Sequence, residues 1–470
     1  MPQLTGPPRG MRDFLPDEIR RRQYVIEVVR RVYERYGFEP LETPALENIA
    51  TLTGKYGDEG NKLIYKVLRR GEGESSGETD LALRYDLTVP LARVVAEHRG
   101  RLPKFFKRYQ IQPVWRADRP ARGRFREFYQ CDVDAIGSAS PVVEAEMIAA
   151  VSEVLQTLGF TDFVVQLNHR ELLTAMLEAA GAPATLHGDA LVAIDKLDRI
   201  GRDKVGDDLV ARGIDRAAAD ICLRAFEDLN TFNDLIGRSE RGAAASRNVA
   251  AIMTLADATP ARGHVQFTPR LARGLSYYTG AIMEIAVPDL AGSLGGGGRY
   301  DGLIGMFSGE QIPACGFSLG LERILVVMTE RQMFPAGLTD AGPDVLVTIF
   351  DEDLTAESLR LSTELRAAGL RVEVYPDSMK GGKNLGKAFK YADSRRARFV
   401  TVVGRDEFDR GEVKIKNLDT GEQQAVARGA VAEVLGRASN LDPRPSTLDP
   451  RSSNLDPRSS NLEPRSSDNE

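Results

Sequence analysis

Apolar and polar residues alternate along two runs of the chain between residues 105 and 137, FFKRYQIQPVWRADRPARGRFREFYQCDVDAIG. A basic turn separates the runs, so the alternation predicts an antiparallel pair of strands. One set of alternate positions is mostly apolar, with Glu127 as an interruption, and predicts a face against the core. It comprises Tyr109, Ile111, Trp115 and Ala117 in the first run, and Phe125, Tyr129, Cys131, Val133 and Ala135 in the second.

The other set of positions is polar with one aromatic ring. It comprises Gln112, Arg116 and Asp118 in the first run, and Arg124, Arg126, Phe128, Gln130, Asp132 and Asp134 in the second. Periodicity alone fits a solvated sheet face. The mixture of guanidinium groups, amide, carboxylates and flat ring favours a binding face for a small molecule that carries phosphate, an amine and a base.

Further elements of the N-terminal part follow from their spacing. Residues 17–36 predict an amphipathic helix, followed by an extended segment that contains Pro44. This helix and segment either pack on their own sheet or form an interface with a second copy. Residues 79–90, TDLALRYDLTVP, predict a strand that ends in a turn and places Arg84, Asp86 and Thr88 on one side. Beyond the hairpin, helices are expected over 141–159 and 170–181, and an Ala-rich helical stretch continues to about residue 261.

Strand-like and helix-like runs alternate from residue 343 to about residue 436. This order predicts a second, α/β domain with a largely parallel sheet. Its basic patch either is a solvated helix face or contacts RNA phosphates. The patch consists of Lys380, Lys383, Lys387, Lys390, Arg395, Arg396 and Arg398.

Two patterns in the C-terminal part are misleading. Residues 381–388, GGKNLGKA, fit the phosphate-loop pattern, but Ala388 stands where Ser or Thr would hold magnesium, so we reject a nucleotide site there. Beyond Arg437, leucines recur every seven residues, yet each repeat carries a proline, which excludes a continuous helix. We interpret this repeat as a disordered tail.

Composition limits the class of protein. A chain of 470 residues is expected to form about two to three domains. Neither a membrane-length apolar run nor a secretory leader is visible, so a cytoplasmic protein is the default expectation. The three cysteines and four histidines have no disulfide or metal-ligand spacing. With a formal net charge of −6, any contact with nucleic acid must come from local basic patches.

Four motifs, taken together and in order, resemble the histidyl-tRNA synthetase family. WRAD followed by RGRFREFYQ is similar to motif 2 of the aminoacyl-tRNA synthetases built on an antiparallel sheet, and QCDVDAIG is similar to its histidine-specific ending. LARGLSYYTG (271–280), GGGGRYDGL (295–303) and GFSLGLERI (316–324) resemble the remaining signatures. From the residues alone, a flexible turn is the simplest interpretation of Gly295 to Gly298. The family commonly has Asp where this chain has Ser276.

The resemblance implies an α+β fold: a class II synthetase catalytic domain on an antiparallel sheet, with a helical insertion, followed by a smaller α/β anticodon-binding domain. We expect the catalytic domain over 1–330, its insertion over about 175–261, the second domain over 343–437 and the tail over 438–470. In the family the insertion contacts the acceptor arm of tRNA. A purely structural role for this helical stretch fits the sequence equally well.

The resemblance also implies roles for individual residues. Arg116 and Arg273 are expected to be catalytic at the α-phosphate. Histidine is expected to bind Asp86, Thr88, Gln130, Asp134, Tyr277, Tyr278 and Tyr300. ATP is expected to bind Arg116, Arg124, Phe128 and Arg323, with Arg323 opposite Phe128 across the adenine. For the pair Glu322 and Arg323, a buried ion pair is the competing interpretation. Lys383, Lys387 and Lys390 are candidate tRNA contacts.

The implied activity is that of a homodimeric histidine–tRNA ligase. It would use ATP with Mg²⁺ as its substrate complex, hold no tightly bound cofactor and no protein-bound metal, and charge tRNA(His). A histidine-sensing regulatory paralogue without aminoacylation is the alternative. Both catalytic arginines, the histidine signatures and the basic C-terminal domain argue against it.

Overall fold

The computed structural model describes residues 5–56, 60–273, 277–339 and 342–441. The chain divides into two compact units between Met333 and Phe334. Within the described ranges, no helix is long and apolar enough to span a membrane.

The N-terminal unit is built on strands β1 to β11. Their bounds are β1 Glu39–Pro40, β2 Leu46–Asn48, β3 Lys66–Leu68, β4 Thr79–Leu83, β5 Phe106–Trp115, β6 Glu127–Ile136, β7 Val164–His169, β8 Val265–Phe267, β9 Ala281–Ala286, β10 Gly295–Arg299 and β11 Ala314–Gly320. Eight of them form one sheet in the order β1-β5-β6-β11-β10-β9-β7-β8, and β2-β4-β3 form a small separate sheet. In the large sheet the pairs β1/β5 and β7/β8 are parallel and the other neighbours are antiparallel. The antiparallel-rich sheet confirms the predicted fold class.

Helices surround this sheet and fill the stretch between β7 and β8. Their bounds are α1 Pro16–Arg35, α2 Ile49–Leu52, α3 Glu72–Ser76, α4 Thr88–Glu97, α5 Val142–Thr157, α6 Arg170–Ala179, α7 His187–Ile194, α8 Leu197–Ile200, α9 Arg202–Ala211, α10 Arg216–Glu227, α11 Leu229–Gly237, α12 Glu240–Ala256, α13 Gly305–Ser308 and α14 Leu321–Glu330. Helices α6 to α12 occupy the Ala-rich stretch and bury their own apolar residues, including Cys222, Phe232 and Ile252. This stretch is therefore helical, as expected.

The β5–β6 hairpin has the predicted two faces. Its apolar face lies against α1, where the Tyr33 hydroxyl donates to the carbonyl of Cys131 at 3.4 Å and Tyr109 donates to Glu34 at 2.8 Å. Cys131 and Val133 are fully buried there. Since side chains alternate between faces, the polar set points to the opposite side of the sheet.

Two local predictions in this unit are wrong. The expected strand is present over Thr79–Leu83, but the segment expected to end in a turn instead enters helix α4 at Thr88, where Asp86 accepts a hydrogen bond from the Val89 amide of the first turn at 3.0 Å. The four glycines, for which a flexible turn was the simplest interpretation, form the inner strand β10 between β9 and β11.

The C-terminal unit contains a five-stranded sheet in the order β13-β12-β14-β15-β16. The strands are β12 Val345–Ile349, β13 Val372–Ser378, β14 Phe399–Val402, β15 Glu412–Asn417 and β16 Gln423–Ala427, and the helices are α15 Thr355–Ala367, α16 Leu385–Ser394, α17 Arg405–Arg410 and α18 Val431–Leu441. Strands β13, β12 and β14 are parallel, whereas β15 and β16 continue antiparallel, so the sheet is less parallel than expected. Val345, Leu361, Val413 and Leu435 belong to its buried core.

The predicted repeat tail is only partly within the described residues. Helix α18 continues to Leu441, so the first residues of the predicted tail belong to its last turn. Residues 442–470 lie outside the described residues.

Candidate active site

The candidate site lies on the polar face of the β5–β6 hairpin. The strand register places Arg108 opposite Asp134, Gln110 opposite Asp132, Gln112 opposite Gln130, and Val114 opposite Phe128. The sequence pattern predicted that the polar residues of β6, together with Gln112 of β5, belong to this binding face. It missed Arg108 and Gln110, although both occupy the same alternate positions and could have been found by extending the alternation backwards.

Asp134 is held by two neighbours. Its Oδ2 lies 2.9 Å from Nη2 of Arg108, and its Oδ1 accepts a hydrogen bond from the Tyr300 hydroxyl at 2.5 Å. All three side chains are buried. The structure therefore brings together Asp134 and Tyr300, two residues predicted for the imidazole pocket, and adds a buried guanidinium that neutralises the carboxylate.

Asp86 is a buried carboxylate at the N-terminus of α4. Its Oδ1 accepts from the Tyr56 hydroxyl at 3.0 Å as well as from the Val89 amide, and its Oδ2 lies 3.5 Å from the Tyr277 hydroxyl. Burial raises the pKa of Asp86, and the Val89 hydrogen bond and the Arg116 charge oppose this rise. Tyr56 lies thirty positions before Asp86, and nothing in the sequence pattern joins the two.

Three tyrosines enclose one end of the site. The ring centroids of Tyr277 and Tyr278 are 4.9 Å apart, and Tyr300 meets Tyr277 edge to face at 6.1 Å. All three rings are buried. A pocket walled by aromatic rings and lined by carboxylates suits a flat ring with polar nitrogens.

Four arginines predicted for ATP and the transition state meet at the other end. Arg116 donates from Nε to the carbonyl of Tyr85 at 2.9 Å, and its guanidinium carbon lies 5.2 Å from the centroid of the Phe128 ring. The pKa of Arg323 is lowered first by burial and then by the nearby charges of Arg124, Arg116 and Arg273. Arg323 therefore lies among three further guanidinium groups, and such a cluster of positive charge suits phosphate oxygens.

Arg323 is not in an ion pair with its neighbour Glu322. Its Nη1 donates to the carbonyl of Ser293, whereas Glu322 pairs with Arg22 at 2.9 Å and accepts from the Tyr129 amide at 3.0 Å. Glu322 thus connects α1, β6 and the start of α14. Its buried partner comes from the N-terminal helix, which sequence reasoning did not foresee.

Arg273 lies over strand β10, which we call the glycine strand because its first four residues are Gly295 to Gly298. Its Nη1 lies 3.4 Å from Oε2 of Glu284, and its guanidinium carbon is 5.6 Å from the centroid of the Tyr278 ring. A Cβ atom at Gly296 would come within 1.9 Å of Nη1 of Arg273. The absence of a side chain at this position is therefore what lets the guanidinium lie on the sheet. Gly274 and Ser276, which the sequence placed in the supporting loop, lie outside the described residues.

Glycines elsewhere in the sheet make similar room. A Cβ at Gly298 would meet the Tyr278 ring at 2.9 Å, and one at Gly316 would meet Oδ1 of Asp134 at 1.9 Å. The side chains of Arg273, Tyr278 and Asp134 thus pack directly against the backbone of strands β10 and β11.

Several buried polar atoms of the site have no hydrogen-bond partner among the described residues. They are Nε and Nη1 of Arg108, Oε1 of Gln110, Oε1 of Gln130, Oδ1 of Asp132 and Nε of Arg273. Buried polar groups are normally satisfied, so their concentration on one sheet face indicates a site shaped for a polar ligand.

The three candidate tRNA contacts lie in the C-terminal unit. Lys383 precedes α16, and Lys387 and Lys390 lie on that helix. All three side chains are exposed. The structure gives them no ligand, so their role stays a prediction.

The antiparallel sheet, with a cluster of arginines at one end of its polar face and a carboxylate-lined pocket at the other, defines the catalytic domain of a class II aminoacyl-tRNA synthetase. The family model described as Histidyl-tRNA synthetase matches residues 10–324, and that described as Anticodon binding domain matches residues 344–437. The chain belongs to the histidyl-tRNA synthetase family.

Individual relatives agree with this family. The chain is 41% identical over 457 residues to the histidine–tRNA ligase of Porphyromonas gingivalis, with 92% of this chain and 99% of that protein covered. It is 40% identical over 457 residues to that of Gloeobacter violaceus, with 91% and 97% covered. Among solved structures, the histidyl-tRNA synthetase of Nostoc sp. PCC 7120 is similar with a TM-score of 0.71 and 30% identity, over 93% of this chain and 100% of that one.

Proposed function

We propose that this chain activates histidine with ATP to histidyl-adenylate and transfers the histidyl group to the 3′ end of tRNA(His). The observation that carries the proposal is the division of one sheet face into two parts. At one part, Arg116, Arg124 and Arg273 lie close enough to Arg323 to lower its pKa. Asp86, Asp134 and the three tyrosines enclose the other.

Activation joins the histidine carboxylate to the α-phosphorus of ATP. The carboxylate oxygen attacks in line, the bond to the β-phosphate oxygen breaks, and pyrophosphate leaves with the electron pair. This chemistry needs positioning and charge neutralisation rather than a protein nucleophile. We assign neutralisation at the α-phosphate to Arg116 and Arg273, whose guanidinium groups are held by Tyr85 and Glu284.

The amino acid would bind at the carboxylate end. We assign its ammonium group to Asp86, Thr88 and Gln130, whose Oε1 has no partner among the described residues. The imidazole ring would lie between Tyr277, Tyr278 and Tyr300, with Asp134 as a polar contact.

The nucleotide would bind at the arginine end. Phe128 offers a flat ring for adenine, and Arg124 and Arg323 offer charge for phosphate oxygens. The guanidinium that lies over the Phe128 ring is that of Arg116, not that of Arg323. Arg323 donates to the Ser293 carbonyl and would have to move away from it to pack against the adenine opposite Phe128. Among the described residues, no group of three or more His, Cys, Asp or Glu side chains is placed to hold a metal ion. Mg²⁺ would enter as part of the ATP complex, bound by its phosphates.

We assign catalysis to residues 1–330 with a helical insertion over about 175–261, anticodon binding to 343–437 and a tail to 438–470. Lys383, Lys387 and Lys390 would contact tRNA phosphates. The chain would form a homodimer with α1 near the interface. It would act in the cytoplasm. Membership of the family supports these assignments.

ATP–pyrophosphate exchange with a panel of amino acids tests the function directly. Exchange that depends on histidine alone, followed by charging of tRNA(His), is the expected result. Histidine binding without exchange would indicate instead a regulatory protein that senses histidine. The retained Arg116 and Arg273 favour the enzyme.

A further inference from the structure

Asp132 lies at the centre of the binding face and has no assigned role. It is opposite Gln110 on β5 and opposite Ser318 on β11, with Gln130 and Asp134 two positions away on its own strand. Its side chain is 2% exposed. The Ser318 side chain hydrogen-bonds to the carboxylate, but Oδ1 has no hydrogen-bond partner among the described residues. A buried carboxylate oxygen in this state is costly unless a ligand supplies a donor.

The charges around Asp132 leave a deficit of positive charge. Arg108 is its nearest cation, but Nη2 of Arg108 lies 4.0 Å from Oδ2 of Asp132 and only 2.9 Å from Oδ2 of Asp134. One guanidinium therefore serves two buried carboxylates. Asp86 adds a third carboxylate within electrostatic range of Asp132, and Arg116 lies close enough to Asp86 to lower its pKa. The other titratable groups that interact with the charge of Asp132 are Arg84, Tyr33, Tyr278 and the thiol of Cys131.

The neighbouring carboxylates are already engaged. Asp134 accepts from Tyr300 and is neutralised by Arg108. Asp86 accepts from Tyr56 and from the Val89 amide. Asp132 lies between the amide of Gln130, assigned to the ammonium group, and Asp134, assigned to the ring. Its unpartnered oxygen is thus placed for a donor on the substrate side chain.

We propose, on the basis of the proposed function, that Asp132 is a specificity-determining residue whose Oδ1 accepts a hydrogen bond from a ring N–H of the histidine imidazole. Burial raises the pKa of Asp132 to about 7 although Arg108 and the Ser318 hydrogen bond oppose the rise, so a further donor would favour the ionised carboxylate. A ring N–H supplies what the pocket lacks, and an amino acid with an apolar side chain leaves the carboxylate unsatisfied.

The test combines Asp132→Asn with two histidine analogues, measured by calorimetry and by pyrophosphate exchange. β-(Thiazol-4-yl)alanine keeps the ammonium group and ring shape but has no ring N–H, whereas 3-(imidazol-4-yl)propanoate keeps the ring N–H but has no ammonium group. Asp132→Asn is expected to weaken histidine and the propanoate about ten- to hundredfold, as for loss of a charge-assisted hydrogen bond, and to leave thiazolylalanine and the KM for ATP unchanged.

Two patterns would overturn the proposal. Unchanged histidine affinity would remove Asp132 from the pocket. Loss for histidine and thiazolylalanine, with the propanoate unaffected, would place Asp132 at the ammonium group instead. Asp132→Ser, which removes the charge without adding volume, is the second variant if the asparagine protein does not fold. Histidine-dependent exchange by the unaltered protein tests the proposed function separately, since its absence would contradict that function and not only the role of Asp132.

Discussion

Nη2 of Arg108 lies 2.9 Å from Oδ2 of Asp134, and the two side chains are 0% and 2% exposed. The pair joins β5 to β6 on the face where substrate is proposed to bind. Since the same guanidinium is the nearest cation to Asp132, its removal would leave two buried carboxylates without compensation.

Arg108→Met is therefore expected to lower the free energy of unfolding by about 3 to 5 kcal/mol, the usual cost of breaking a buried ion pair from one side. Urea denaturation measures this loss. Arg35→Met is the control, because Arg35 pairs with Glu153 at the surface with 61% of its side chain exposed. The control is expected to lose less than about 1 kcal/mol. Equal small losses in both variants would show that Arg108 does not neutralise the site.

The stability of the protein is expected to depend on Asp132 through pH. Burial and the neighbouring Asp134 raise its pKa to about 7 against the opposing charge of Arg108, whereas an unfolded Asp titrates near 3.9. Between these pH values the folded state holds a proton that the unfolded state has released. Stability therefore falls as pH rises through this window, by up to about 1.4 kcal/mol per pH unit, and levels off above about pH 7.

Asp132→Asn should reduce this pH dependence. Urea unfolding of both proteins at several pH values between about 5 and 8 checks it, and the variant is expected to gain stability relative to the parent as pH rises. Asp134 titrates with Asp132, so some slope is expected to remain. Parallel curves for the two proteins would mean that Asp132 is not the titrating group.

Arg273→Ala is expected to slow ATP–pyrophosphate exchange on the order of a hundred- to thousandfold, because a preorganised donor to the transition state contributes about 3 to 4 kcal/mol. Arg270→Ala, at an exposed position three residues earlier, is the control and should exchange normally. Near-normal exchange by Arg273→Ala would contradict its catalytic role.

Gly296→Ala should also slow ATP–pyrophosphate exchange, by a smaller factor, although Arg273 itself is unchanged. The new Cβ would lie 1.9 Å from Nη1 of Arg273 and 3.0 Å from the carbonyl of Met283, so the guanidinium must leave its place. Gly302→Ala is the matched control, since its Cβ would meet only Thr279 at 4.0 Å. Exchange rates and thermal unfolding of both variants separate a displaced arginine from a damaged fold. A Gly296→Ala protein that is stable and fully active would show that Arg273 works from another position.

Replacing Lys383, Lys387 and Lys390 together by Ala is expected to weaken tRNA binding and to leave histidine activation intact. Each cation that neutralises a phosphate contributes to the salt dependence of binding, so the slope of log affinity against log salt should also decrease. Filter binding at several salt concentrations measures both quantities, and pyrophosphate exchange is the internal control. If affinity and slope stay the same, the lysines form only a solvated face.

The β5–β6 hairpin could be predicted because apolar and polar residues alternate within a short segment and the polar residues all occupy the same alternate positions. Strand β10 could not, since glycines carry no alternating pattern and their place depends on β9 and β11 on either side. Strand β16 was missed for a related reason. Its five residues are mostly exposed, so no apolar face marks it.

Partners distant in sequence explain most of the remaining differences. Asp86 was identified, but Tyr56, which fixes its carboxylate, comes from another segment. Glu322 was recognised as a costly charge on an apolar helix, and its partner Arg22 lies three hundred positions away. Such pairings become visible only when the folded chain brings them together, because a charge alone does not indicate which opposite charge it meets.

The glycine strand also limits how the gene can change. Every missense mutation in the codons for Gly295 to Gly298 adds at least a Cβ atom, and each such atom would lie within 2.5 Å of an existing atom: the Ser318 carbonyl oxygen, Nη1 of Arg273, the Gly316 carbonyl oxygen or the Ala281 carbonyl oxygen. No conservative replacement exists for a residue whose contribution is the absence of a side chain. Missense mutations in these four codons are therefore expected to be selected against, because they displace backbone carbonyl groups or, at Gly296, the Arg273 guanidinium.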